Sequence, residues 1–558
     1  MPESDVAKAL KHEIEKALRD EAKISQDWPE GHLEILPRSF TVGTNVKSYT
    51  TLTVDRGDYL ESQEPLPNLR YYENEWDRVR VPENADWAYL AQHQLKAGPV
   101  HVAVRGKILA LAAGFHAVVC HLGLEATVIP MRVVDYRSLV APWNCVSGPN
   151  EDCDKAALMR SFDLPERFRD PARHLEDPAT NVFGAIVTAN TAFVICDSSR
   201  LIRLCVVSSS VLITQDDLLP GSDMWKSRLW KAFPGGPDWV SELPEALACL
   251  DHWRDEVVKS GKRKTKCIVD VLTEASGPGG GIGKHLANDF LYEVAIHPDT
   301  PSFVLCTDEA SFSRLRSHLP VFMARWESPQ YLKACAGRTN SLNPFAFNTT
   351  SDRNFFSSYV PVYRRTSVRV RRDLYNLYLA NGLFDPEHII GTLYTKPVTL
   401  LTKEWKDVPV RFFSASNTNR YHIIKAQVPN GWKTRVEEPM LSDVTNAGFA
   451  TTLGRASFRE QVNNKVDLEQ AKLLVHRGRP RKVCAMSISP GFSTHLSQDK
   501  TGLPGRPRKT DTKARIARKE AQARVIHPIA CVEQENDELL GSDIPEDGPR
   551  RSKRIRLT

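Results

Sequence analysis

The 558-residue chain has no closely spaced cysteine pair: its 11 cysteines are scattered, odd in number and never arranged as Cys-x-x-Cys. That pattern suits reduced thiols in a reducing compartment. Structural zinc sites show close cysteine pairs, so His116, Cys120, Cys145 and Cys153 read as buried groups and no metal is expected. No apolar run reaches the ~20 residues of a membrane span; the most apolar, Ile108 to Cys120, is interrupted by Gly114 and His116. Met1 to Lys23 likewise lacks the uninterrupted apolar stretch of a signal peptide. Neither a membrane nor export is expected. A repeat of domain size is also missing.

Net charge is absent from most of the chain and concentrated at its end. The net charge is +6 overall, yet Arg477 to Pro528 carries 13 Lys/Arg against 3 Asp/Glu. Ile529 to Gly548 then has 7 acids and no base, and Pro549 to Thr558 has 5 bases and no acid. The body is therefore close to neutral and the tail polarised, which points to a polyanion as the tail's partner.

Hydrophobic patterning implies an α+β fold of two or three small mixed domains followed by a disordered basic tail. Val6, Leu10, Ile14 and Leu18 share one helical face, giving an amphipathic helix over residues 1–25. Residues 26–230 form an α+β domain, with a buried helix expected at Ile108 to His121 and a strand at Ala126 to Val134. Runs at Gly184–Thr188, Ala192–Cys196 and Leu201–Val207, separated by Asn190 and Asp197-Ser-Ser199, predict an antiparallel meander. Residues 231–433 form a second mixed region. Helices are expected at Leu243–Val258, His285–Val294 and Arg371–Ala380, and strands at Cys267–Leu272, Ser302–Cys306, Val398–Leu401 and Val408–Phe413. Residues 434–558 are expected to be a largely disordered tail: the periodicity fades after Lys433 apart from a helix at Phe458 to Val475, and from Arg477 onward the apolar content is too little to offset the entropy of ordering.

Within that tail stand Arg477-Gly478-Arg479-Pro480-Arg481-Lys482 and Pro504-Gly505-Arg506-Pro507-Arg508-Lys509. Proline keeps such a segment extended, and glycine has no side chain to collide with a groove floor. An extended strand with arginines either side of the Gly/Pro bend suits the narrow, electronegative minor groove of A-tracts. Both segments resemble the AT-hook family, whose core is Gly-Arg-Pro flanked by basic residues. The resemblance implies that Arg479 and Arg506 enter the groove, while Arg477, Arg481, Lys482, Arg508 and Lys509 reach walls and phosphates. The second copy departs at Pro504 and is expected to be weaker. A flexible linker of 27 residues spans about 30 Å, close to one turn of DNA, so both hooks can engage together. Arg550-Arg-Ser-Lys-Arg-Ile-Arg556 reads as a nuclear import signal or as further phosphate-binding charge.

The body offers fewer leads. Ser276-Gly-Pro-Gly-Gly-Gly-Ile-Gly-Lys-His285 looks like a phosphate-binding loop, with Gly281, Gly283 and Lys284 as the groups that would meet a cofactor. It departs from the Walker pattern at Pro278 and His285, and a flexible glycine turn is the alternative; no cofactor is expected. Asp385, Glu404 and Lys406 are similar to restriction-endonuclease-like sites, where two carboxylates hold a divalent cation; exposed surface charge explains them equally. Arg364, Arg365, Arg369, Arg371 and Arg372, with Phe355, Phe356, Tyr359 and Tyr363, form a basic-aromatic patch that either stacks on nucleic acid or belongs to a half-buried strand.

The sequence thus describes a nuclear protein that grips AT-rich double-stranded DNA through its tail, in a chromatin or transcription setting, with protein partners for the body. The alternative is a DNA-acting enzyme, nuclease or transposase-like, that the tail tethers to its substrate.

Overall fold

The computed structural model describes residues 3–439, apart from 41–50, 61–85, 93, 124–125, 142–143, 145–160, 169–178, 198–199, 262–265, 276, 337–344, 346–348 and 415–418. Both hooks, the arginine-rich terminus, Cys145 and Cys153 lie outside the described residues. The fold is α+β.

Helix α1 (Ser4–Ser25) buries Val6, Leu10, Ile14 and Leu18, as the spacing predicts, and ends on Gln26 in the left-handed region. Each of those side chains contributes about 1.5–3 kcal/mol of burial. They face a nine-stranded sheet of order β2-β9-β5-β4-β3-β1-β7-β8-β6. Its strands are β1 (Glu30–Ile35), β2 (Thr51–Asp55), β3 (Gly98–Arg105), β4 (Ile108–Ala113), β5 (His116–His121), β6 (Ala126–Arg132), β7 (Val182–Val187), β8 (Thr191–Asp197) and β9 (Arg203–Ser208). A short helix, α2 (Val133–Leu139), follows β6.

The segment Ile108–His121 is a β-hairpin, not the expected helix. It is apolar throughout because both of its faces are covered. Leu109, Leu111, Val118 and Cys120 join the core beneath α1. Ile108, Ala110, Ala112 and Val119 pack on the other side against Trp225, Leu229, Trp230 and Phe233. Gly114 makes the turn at φ +61°, and the Lys96 carbonyl oxygen lies 2.3 Å from where a Cβ would stand. The expected meander is half present: β7 and β8 pair antiparallel, but β9 leaves them and lies between β5 and β2.

After the sheet come α3 (Leu243–Ser260), α4 (Ile268–Leu272), α5 (Lys284–Glu293), α6 (Ser302–Thr307), α7 (Glu309–Ala324) and α8 (Thr349–Tyr359). Two of these, α4 and α6, are helices where strands were expected. Short apolar runs do not distinguish the two states by periodicity. The main core runs unbroken from Val6 of α1 through these helices to Val360. A separate core, built on Tyr292, Val368, Val370, Tyr378, Val408 and Ile423, holds the last described elements together. These are β10 (Ser367–Arg371), α9 (Arg372–Ala380), β11 (Trp405–Pro409), β12 (Arg411–Phe413), β13 (Arg420–His422) and β14 (Glu438–Pro439). Strand β10 pairs with β11, and β12 lies between β13 and β14. Val398–Leu401, expected as a strand, is irregular.

Candidate active site

The glycine-rich turn meets the first residues of the described chain. Glu3 is the N-cap of α1, yet its side chain does not cap that helix. Its carboxylate accepts hydrogen bonds from the amides of Gly283 (2.9 Å), His285 (3.0 Å) and Leu286 (2.9 Å). These are the orphan donors of α5, where the helix dipole favours an anion. A Cβ at Gly283 would stand 2.3 Å from Glu3 Cδ, so glycine is needed there. The Ser4 amide donates to the Gly281 carbonyl oxygen (3.1 Å), and Gly281 has φ +84°. The amides expected to cradle a phosphate are thus engaged by the protein's own carboxylate. Lys284, the third residue of that expected set, is exposed.

Asp5 lies two residues further along and is 2% exposed. Burial pushes its carboxyl up to about 6, against the opposing pull of His285, and its Oδ1 has no hydrogen-bond partner. On α5, His285 Nε2 lies 3.0 Å from Asp289 Oδ2. Burial opposes a charge on His285, but Asp289, Glu3 and Asp5 together outweigh it and push the imidazole up to about 9. Asp289 Oδ1 also accepts the amides of Val362 and Tyr363. Phe355 and Tyr363 wall the imidazole, at 5.6 and 5.4 Å between ring centroids. The Tyr331 hydroxyl donates to the Asp5 carbonyl oxygen.

A third buried charge on α1, Lys8, lies between Asp238 (3.2 Å) and Glu327 (2.6 Å). Asp238 also takes the amides of Gly106, Val240 and Ser241. Burying charges at positions 3, 5 and 8 of one segment is expensive unless each is compensated. Strongly shifted titratable groups gather at functional sites and also in structural ion-pair networks. On the far side of the glycine turn a cleft of about 250 Å³ is lined by Arg105, Lys107, His121, Arg203, Phe233 and Gly281. Burial and the charges of Arg203 and Lys107 push His121 down to about 4, so it is neutral at pH 7. Arg105 is held by Glu242, and the Arg203 guanidinium lies 5.3 Å from the centre of the Phe233 ring.

The remaining residues singled out from sequence are dispersed. Asp385 is engaged by Lys396 (2.7 Å) and Tyr394, and Lys406 donates to the Tyr375 hydroxyl (2.9 Å). Glu404 contributes its carbonyl oxygen to the Arg372 amide, and no hydrogen bond or ion pair joins the three among the described residues. In the basic-aromatic patch, Phe355 and Phe356 are buried. The Arg369 and Arg371 side chains pair with Asp407 and Asp373 on the exposed face of β10. His116 donates to or accepts from Ser208 Oγ (2.9 Å), and Cys120 is a core thiol.

The residues missed by sequence reasoning are Glu3, Asp5 and Asp289. The signal available for Glu3 and Asp5 was acid density ahead of the first helix, which is too common to single out.

No family model and no curated protein matches the chain. Among solved structures, similarity is found to Lactococcus lactis formamidopyrimidine-DNA glycosylase bound to AP-site DNA. The TM-score is 0.31 at 12% identity, covering 59% of this chain and 81% of that one. The wild-type Lactococcus lactis enzyme with an N7-benzyl-Fapy-dG DNA gives 0.34 at 11% identity, covering 75% and 97%. MutM with a carbocyclic 8-oxo-G DNA gives 0.30 at 12% identity, covering 58% and 80%.

Proposed function

We propose that the protein is a nuclear DNA-acting enzyme that cleaves base–sugar bonds, with the Glu3–Asp5–His285 cluster as its centre and the tail hooks holding AT-rich duplex. The observation that carries this reading is the buried carboxyl at about 6 beside a buried imidazole at about 9. A carboxyl with that proton affinity both gives and takes a proton near neutral pH. Breaking a glycosidic bond needs a proton for the leaving group and negative charge beside the cationic sugar. Asp5 supplies the proton and, once ionised, the charge, while Glu3 holds the glycine turn through three amides; the chemistry needs no metal pair. Asp385, Glu404 and Lys406 have separate partners, so support for a metal-dependent nuclease is missing. The DNA half of the reading rests on the two Gly-Arg-Pro-Arg-Lys segments, joined by exposed Lys284 and the basic cleft with Lys107 and Arg203. An enzyme of this kind turns its target nucleotide out of the stack, and a tail that holds the duplex raises the local concentration of targets.

The test uses the full chain, without added magnesium, on AT-rich duplexes carrying an oxidised purine, a uracil or an abasic site. Base release or strand scission is expected, and Asp5→Asn should lower it at least 100-fold while leaving DNA binding intact. Arg479→Ala/Arg506→Ala should keep the chemistry on short duplexes but lose AT preference and flatten the salt dependence of binding. Borohydride trapping asks whether a chain amine condenses with the sugar aldehyde. Peptide mapping of any adduct identifies the amine. If none of these duplexes is processed while AT-rich binding persists, the enzyme reading falls and a chromatin-associated binder remains.

A further inference from the structure

The second cluster of titratable groups lies away from the glycine turn, where the loop after α5 meets the strands β12–β14. His297 follows α5, His422 ends β13, and Glu437 immediately precedes β14. One ligand atom from each of the three lies within 4.8 Å of the others. His422 Nε2 is 2.8 Å and His297 Nε2 3.7 Å from the same oxygen, Glu437 Oε1. The two imidazoles are 1% and 2% exposed, with ring centroids 4.4 Å apart at an angle of 61°.

Buried imidazole nitrogens are ordinarily hydrogen-bonded. Here neither His297 Nε2 nor His422 Nε2 has a hydrogen bond of acceptable geometry, although both are close to the carboxylate. The two nitrogens and the oxygen therefore converge without satisfying one another. Glu437 Oε2 is held from outside by Arg411, which leaves Oε1 turned to the imidazoles. Trp432 and Phe413 complete an aromatic wall at 6.0 and 6.3 Å from the nearer imidazole. Two imidazoles and a carboxylate form a competent donor set.

We propose that His297, His422 and Glu437 bind a divalent transition-metal ion, zinc by preference. Two imidazoles and one carboxylate match the borderline character of Zn²⁺, with a fourth position left to water. Ligand atoms around tetrahedral zinc stand roughly 3.3 Å apart, so on loading the His422–Glu437 pair, now at 2.8 Å, opens and the His297–Glu437 pair, now at 3.7 Å, closes, each by roughly 0.5 Å. As the side chains stand, the Asp299 amide donates to His297 Nδ1 at 3.1 Å, which puts the ring proton on Nε2. Loading moves that proton to Nδ1, and the ring gives up the Asp299 amide bond as it does so. The ion would tie the strand before β14 to the loop after α5. This assignment is independent of the proposed enzymatic activity.

The experiment is a Co²⁺ titration of untagged, chelator-treated full chain, followed by visible absorption and by competition with Zn²⁺. One equivalent of four-coordinate Co²⁺, displaced by zinc, is expected. His422→Ala and Glu437→Gln should each remove the band and weaken zinc binding 10- to 100-fold. His252→Ala, at an exposed histidine on α3, should change nothing. Glu437→Gln alters a partly exposed side chain, so circular dichroism can confirm that it folds. An unchanged stoichiometry and spectrum in Glu437→Gln would falsify the site, as would wild-type protein that binds no metal at micromolar concentrations.

Discussion

The two buried clusters flanking α5 contain the same kinds of side chain and solve opposite problems. At its N-terminus, Glu3 accepts three amides and Asp289 Oδ1 two, so backbone donors neutralise most of the carboxylate oxygens, with Asp289 Oδ2 facing His285. Beyond its C-terminus, His297 and His422 meet Glu437 with their Nε2 atoms unsatisfied. Saturated charge holds elements together; unsaturated donors wait for a ligand. Asp5 stands between these conditions, enclosed in the saturated cluster but with Oδ1 unpartnered, which is why the acid–base role falls to it.

The comparison breaks most readily at Glu3. Glu3→Ala leaves three buried amides at the head of α5 without an acceptor and should cost about 3–5 kcal/mol, read as a shifted midpoint in urea. If stability changes by less than 1 kcal/mol, the saturated description is wrong. The next effect is pH dependence. The folded-state affinity of His285 lies above the ordinary 6.5, so its contribution is fully present below pH 6.5 and lost as pH rises through about 9. A shift of that size amounts to roughly 3 kcal/mol, shared with its coupled acids. The melting temperature should therefore fall between pH 6.5 and 9, and His285→Gln should flatten the fall. The smallest effect is expected at the dispersed carboxylates: Asp385→Asn and Glu404→Gln should leave both DNA processing and stability within about 0.5 kcal/mol of wild type. A large loss of activity there would revive the nuclease reading.

The sequence made some of these elements legible and concealed others. Helix α1 was readable because Val6, Leu10, Ile14 and Leu18 lie on one face and their neighbours are polar. The α5 start was readable from Gly283 and the apolar spacing after it, and β10 from its valine–arginine alternation. The hairpin at Ile108–His121 was not, because burial on both faces erased the alternation that marks a strand. For the site, the glycine turn stood out as an anion cradle, but the anion proved to be a side chain 280 positions earlier. His297, His422 and Glu437 carry no short spacing at all, since each arrives from a different element. The hooks show the converse: they are plain in the sequence and lie outside the described residues.

The buried face of α1 also has a kinetic consequence. Its first turns are completed by Gly283 and Leu286 through Glu3, by Glu327 through Lys8 and by Tyr331 through Asp5. Synthesis at ~5–20 residues per second places about 15–60 s between the helix and its last partner. During that interval the first turns of the helix lack the partners of Glu3, Asp5 and Lys8, and the contacts that close them span most of the body. Such long-range closure slows folding. The N-terminal segment therefore locks only after the chain has passed Tyr331, well after the sheet that its apolar face covers.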